Sequence, residues 1–161
     1  MGSTRKTLRE WLTIRNVVDF PPLWTLAAIG CGVLLHSIIP VSIQFPMIVN
    51  IGIIICVMSF SLMIWCAATL YFSKTPMLPH NDAESLVTHG PYGWSRNPIY
   101  LADLILVASS ALMFQTLWPI LFVPVLYVIL RKRFVIPEEE MLKVHFPEAF
   151  RAWSENTRRW I

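Results

Sequence analysis

The side chains able to do chemistry fall in two short stretches. The first runs through His80, Asn81, Asp82 and Glu84 to His89-Gly90-Pro91-Tyr92-Gly93-Trp94-Ser95-Arg96-Asn97, and ends at Pro98, Tyr100 and Leu101. The second opens on Pro137-Glu138-Glu139-Glu140. Gly-Pro and Asn-Pro steps impose turns, with an extended residue before each proline, so the first stretch is a shaped loop and not a flexible linker. Brought together, the two would offer donors (Arg96, Asn97, Tyr100), turn amides around Gly90, and the carboxylates of Glu138 and Glu139. A ligand with a carboxylate, an amine or sulfonium cation and a diol would find a partner for each group. Each stretch also has a purely structural reading. The first is then a re-entry turn with an aromatic belt of Tyr92, Trp94 and Tyr100. The second is a helix start, with proline and acids suited to the positive end of the helix dipole.

The elements that must hold these stretches follow from composition. Of the 161 residues, 55% are hydrophobic and only 14% charged, and the mean hydropathy is +0.56. Soluble domains carry about 25% charge, so a water-soluble domain and a disordered chain are both excluded. The net charge of +3 would admit a nucleic-acid partner, but the basic residues sit beside apolar blocks and read as membrane-surface charge, so none is expected. Between Asp19 and Lys74 the sole ionisable side chain of acidic or basic type is His36. That stretch fits two spans, over 21–39 and 45–72, with a turn over 40–46 bracketed by Pro40 and Pro46. The second block, over 99–136, is long enough for two more helices turning around 115–119. This choice places Asp103 about one turn inside the membrane, at an insertion cost of about 2.5–3.5 kcal/mol. Its carboxylate would orient an amine substrate, pair with Arg131 or Arg133, or sit at the interface. Arg131, Lys132 and Arg133 must reach back to the surface on their long stems.

The expected fold is thus an all-α integral membrane protein forming one membrane domain. It has an interfacial helix over 1–19, helical hairpins over 20–72 and 99–136, a loop over 73–98, and an amphipathic C-terminal segment over 137–161. Arg5, Lys6, Arg9 and Arg15 precede the first span, Lys74 and Arg96 lie in the central loop, and the remaining Lys and Arg follow the fourth span. With positive charge held inside, both termini and the central loop face the cytoplasm, and the expected setting is the bacterial inner membrane. No cleavable signal is evident. In the C-terminal segment Leu142, Phe146, Phe150, Trp153 and Thr157 recur at helical spacing, interrupted near Pro147, and would lie on the membrane or on the span mouths. Cys31, Cys56 and Cys66 are expected to be buried packing residues, and His36 a hydrogen-bonded one. Gly30-Cys31-Gly32 is expected to mark close helix contact. No metal site is expected, since His80 and His145 lack partners at ligand spacing.

The stretch from Leu86-Val87-Thr88-His89-Gly90-Pro91-Tyr92 to Ser95-Arg96-Asn97-Pro98-Ile99-Tyr100-Leu101-Ala102 resembles the signature of the isoprenylcysteine carboxyl methyltransferase and phospholipid methyltransferase superfamily. Val135-Ile136-Pro137-Glu138-Glu139-Glu140-Met141-Leu142, then His145 to Trp153 and Arg158-Arg159-Trp160-Ile161, resemble its closing segment. The resemblance implies an integral membrane enzyme that uses S-adenosylmethionine. Arg96, Asn97, Pro98, Tyr100, Glu138 and Glu139 would serve the cofactor, with His89, Gly90, Pro91, Tyr92 and Leu101 adjacent. Asn97 stands where many members have histidine, Ala102 and Pro147 where glycine is common, and Phe150 and Trp153 where tyrosines are frequent.

The implied reaction is in-line methyl transfer to a nucleophile entering from the lipid. Arg96 and Asp103 are the candidate catalytic groups, and the acceptor is a lipophilic small molecule or a lipidated one: a prenylated cysteine, a phospholipid amine, or a small apolar thiol or acid. Two competing readings are a four-span transporter subunit or scaffold with Asp103 as coupling group, and a membrane reductase of related architecture using NADPH. Nothing in the sequence fixes an oligomeric state.

Overall fold

The structure, a computed structural model, describes residues 20–42, 45, 47–73 and 86–161. The expected interfacial helix over 1–19, and His80, Asn81, Asp82 and Glu84, lie outside them. The named elements among the described residues are all helical. They are α1 (Pro21–Ile38), α2 (Ile48–Phe72), a 3-10 turn (Gly90–Gly93), α3 (Pro98–Met113), α4 (Trp118–Leu130), a π turn (Arg131–Val135), α5 (Ile136–His145) and α6 (Pro147–Asn156). Proline stands in the first turn of α1, α3, α4 and α6. Its missing N–H is no loss there, because the first helical amides have no partner within the helix. α3 and α4 are separated by a turn over 114–117, at the expected place, where Gln115 takes a φ of 51° and Thr116 N–H donates to Ala111 O at 2.9 Å.

α3 is the helix the others share, packing against α2, α4 and α1, while α1 also packs against α4. Small side chains make this possible: Ala102, Ser109, Ser110 and Ala111 of α3 are all buried. Where lipid replaces water there is little hydrophobic gain from bringing helices together, and close backbone approach with interhelical hydrogen bonds takes over. Ser59 of α2 donates to Ala102 O at 2.6 Å. A Cβ on Gly52 would meet Met113 N at 2.8 Å, and one on Gly32 would meet Pro119 at 2.8 Å. The close contact expected of the Gly30–Gly32 pair is made at Gly32; Gly30 faces open space. From α4 onward, Leu126, Leu130 and Phe134 fall on one helical face and bury against Tyr100 and Val107 of α3.

Contacts at both ends show the four helices running between the same two limits. At one end Trp118 Nε1 donates to Ile39 O at 2.8 Å and Ser42 pairs with Thr116. At the other, Thr25 meets Asp103, the Arg133 guanidinium lies 5.3 Å over the Trp24 ring, and the Trp65 and Trp94 rings meet edge to face at 5.3 Å. α1 and α2 are long and apolar enough to cross a bilayer, at 18 and 25 residues, and little of either is buried. A core helix of a soluble protein would be mostly covered. These instead turn Leu34, Ile38, Ile54, Met58 and Ile64 outward, as lipid-facing helices do. α3 and α4 are shorter, at 16 and 13 residues. The outward faces also correct the reading of the cysteines: Cys66 is buried, but Cys56 is half-buried and Cys31 exposed. His36, expected to be hydrogen-bonded, has a buried Nδ1 with no partner among the described residues.

The second correction concerns Pro137. It does not open a helix of its own. The backbone keeps helical φ and ψ from Leu130 through Val135 and Ile136, so α4, the π turn and α5 are one continuous path. Proline cannot donate to the residue four back, and its ring crowds that carbonyl; widening the preceding turn absorbs both faults. The acids of α5 therefore do not sit at a free helix end, and the dipole reading of Glu138 and Glu139 loses its basis.

Candidate functional site

The loop before α3 is built around Gly90, whose φ of +61° is left-handed and whose missing side chain leaves room for Thr69 of α2. The 3-10 turn that follows buries Pro91 and Tyr92. α6 closes over it. Phe150 and Trp153, with the spacing that marked them as one face, bury against Cys66, Val87 and Tyr92, and Trp153 Nε1 donates to Tyr92 O at 2.9 Å. Of the two sites expected for the amphipathic segment, the structure shows it on the span mouths. Burial, with Cys66 and Glu138 nearby, pushes the Tyr92 phenol well above its ordinary range, so it stays protonated. Gly90→Ala is expected to cost about 1–2 kcal/mol for the left-handed backbone, with a methyl 3.3 Å from Thr69 Oγ1. Thermal unfolding in detergent should show the loss.

Glu139 is the centre of the charged cluster and only 4% exposed. The Arg159 guanidinium forks onto it, Nε to Oε1 at 2.9 Å and a terminal nitrogen to Oε2 at 2.6 Å. Arg96 approaches the same carboxylate at 3.6 Å. This fork holds Arg159 firmly protonated. Two cations on one buried anion leave the cluster net positive. Arg96 Nε is also buried without an acceptor among the described residues, a donor that an anionic group would satisfy. One residue away, Glu138 accepts from Tyr100 Oη at 2.5 Å. Burial pushes the Glu138 carboxyl up to about 7, with Glu139 adding to the rise and the Tyr100 hydrogen bond opposing it. A carboxylate poised near neutrality and facing a donor is a suitable partner for a cation that arrives with a ligand.

Of the residues singled out in the sequence, Arg96, Asn97, Tyr100, Glu138 and Glu139 are brought together here. Pro98 starts α3 and is buried. Pro91 and Tyr92 form the wall beneath α6, Leu101 is half-buried, and His89 is exposed. Asp103 lies one turn further along α3, on the face of Tyr100. It is buried and accepts a hydrogen bond from Thr25 Oγ1 of α1 at 2.8 Å. Asn97 is turned away from the acids: its Nδ2 donates to Arg159 O at 3.1 Å. Arg159 and Trp160 were not among the candidates. In the sequence Arg159 counts only as inward-side charge and both residues as part of the stretch resembling the family's closing segment, and nothing in the spacing pairs Arg159 with an acid twenty residues earlier.

The described residues thus form a helical bundle with apolar outward faces and an Arg96–Glu139–Arg159 cluster at one end. The family model described as phospholipid methyltransferase matches residues 47–149, more than half of the chain. The chain belongs to this family, and it is accordingly a membrane methyltransferase. No curated protein and no solved structure matches it.

Proposed function

We propose that the protein transfers a methyl group from S-adenosylmethionine to a lipophilic acceptor that reaches the site from the bilayer. The observation that carries this reading is the Arg96–Glu139–Arg159 cluster beside the Tyr100–Glu138 pair. It joins the two polar stretches of the sequence over one small volume. The residues fit such a cofactor: Arg96 Nε has an unspent hydrogen bond for the amino-acid carboxylate, and Glu138 has a carboxyl for the cationic part. Bound there, S-adenosylmethionine supplies an electrophilic methyl on sulfur. The protein's own contribution is to anchor both ends of the molecule, to keep water out with Tyr92, Phe150 and Trp153, and to leave the lipid side open. Fixing the partners in line is worth up to about 7–11 kcal/mol in well-oriented systems. A thiolate, carboxylate or neutral amine acceptor needs no further base.

The topology that serves this reading has four crossings, with both termini and the site on the cytoplasmic side. It is supported by the charge distribution and by four helices sharing the same two ends. Membranes incubated with methyl-labelled S-adenosylmethionine should accumulate label in the organic-soluble fraction, and Arg96→Ala should abolish most of it. Label that stays in water, together with NADPH binding by the purified protein, would contradict the proposal and select the reductase reading.

A further inference from the structure

The last residues of the chain are held to the turn before α3 by a short ladder. Ser95 pairs with Arg158 as a parallel bridge, Arg96 N–H donates to Arg158 O at 2.9 Å, and both Ser95 Oγ and Asn97 Nδ2 donate to Arg159 O, at 3.3 and 3.1 Å. Ser95 in turn accepts from Asn97 N–H at 3.1 Å. Such a clamp fixes more than the backbone. It sets the Arg159 guanidinium on Glu139 and turns the next residue, Trp160, inward, its ring 5.1 Å from that of Tyr127 and packed on the cluster containing Tyr100 and Phe134. The indole Nε1 is then buried with no acceptor among the described residues. A buried donor without a partner is costly. Here it comes from the same short segment as the Glu139 fork, and Arg96 Nε is in the same condition. The tail lies beyond the residues that the family model matches.

We infer that Trp160 donates its indole N–H to an acceptor on the bound cofactor, and that Ser95 and Asn97 act as positioning residues through Arg159. This inference rests on the cofactor reading above. It gives Asn97 a role that differs from direct contact, since its amide is spent on the Arg159 carbonyl.

The test compares wild type, Trp160→Phe and Asn97→Ala in lipid nanodiscs. S-adenosylhomocysteine is titrated into each, and the ligand-free proteins are melted. Trp160→Phe keeps a ring and deletes the N–H. Its expected affinity is roughly three- to tenfold weaker, the worth of one hydrogen bond, while a fall in the melting temperature of the empty protein reports only the packing lost with the smaller ring. Asn97→Ala should weaken binding at least as much and speed hydrogen exchange at the Arg96 amide. Asn97→His or Asn97→Gln, able to donate to the carbonyl, should restore part of both. Wild-type affinity in Trp160→Phe would overturn the inference. If wild type fails to bind at all, it is the cofactor reading that falls. The tail's clamp is then judged separately by exchange at Arg96, which must still quicken in Asn97→Ala.

Discussion

Glu139→Gln is expected to destabilise the protein by about 3 kcal/mol and to weaken S-adenosylmethionine binding more than tenfold. Removing one member of a buried ion pair leaves the other charge without compensation, at about 3–5 kcal/mol. The lower end applies because the Arg159 side chain is 33% exposed and is partly screened, whereas Arg96 is only 14% exposed. Glutamine keeps the shape and one acceptor oxygen, but its amide nitrogen would face one of the two guanidiniums. The binding loss follows from geometry: with Glu139 neutral, Arg96 and Arg159 repel, and Arg96 is no longer aimed. Thermal unfolding and a binding titration on the same preparation check both effects. Curves that superpose on wild type would remove Glu139 from the site.

Raising the pH from about 5 to about 8 is expected to weaken the empty protein while strengthening its hold on the cofactor. Glu138 has a carboxyl pushed up to about 7 from an ordinary 4.5. Between those values the folded state keeps a proton that the unfolded chain releases. The stability associated with that proton is complete below the unfolded value and is lost as the pH rises through the folded one, up to about 3 kcal/mol in all. Binding of a cation runs the other way, because it favours the ionised carboxylate and should release a proton near neutrality. Tyr100→Phe removes the hydrogen bond that holds the Glu138 carboxyl down, so both midpoints should move to higher pH. Unfolding curves and binding isotherms across this range would show it. Stability that rises with pH through 7, or midpoints unmoved by Tyr100→Phe, would rule out this role for Glu138.

Much of this site is legible in the sequence. Arg96, Asn97, Tyr100 and the two glutamates stand out because charged residues are scarce in so apolar a chain, and because prolines fix the turns around them. The break near Gln115 was legible from length: residues 99–136 are enough for two helices, and Gln115 to Pro119 is where they can turn. What the sequence could not reveal were relations made at a distance. Pro137 read as a helix start because the widened turn that accommodates it leaves no mark in composition. For Asp103 the sequence left open an amine substrate, Arg131 or Arg133, or the interface, yet its hydrogen bond comes from Thr25, a hydroxyl on a helix far away in sequence. Burial of the cysteines was overestimated because apolar neighbours signal a lipid-facing surface as readily as a core. Arg159 looked like surface charge until the ladder to Ser95 brought it back over Glu139.

The most direct measurement is a calorimetric titration of S-adenosylmethionine into the purified protein in nanodiscs, with Arg96→Ala beside it. The proposed function leads to saturable binding at one site per chain in wild type and a loss of at least about tenfold in the variant, the worth of a charge-assisted hydrogen bond. Absence of saturable binding in wild type, or equal affinity in Arg96→Ala, would contradict the assignment of this cluster to the cofactor.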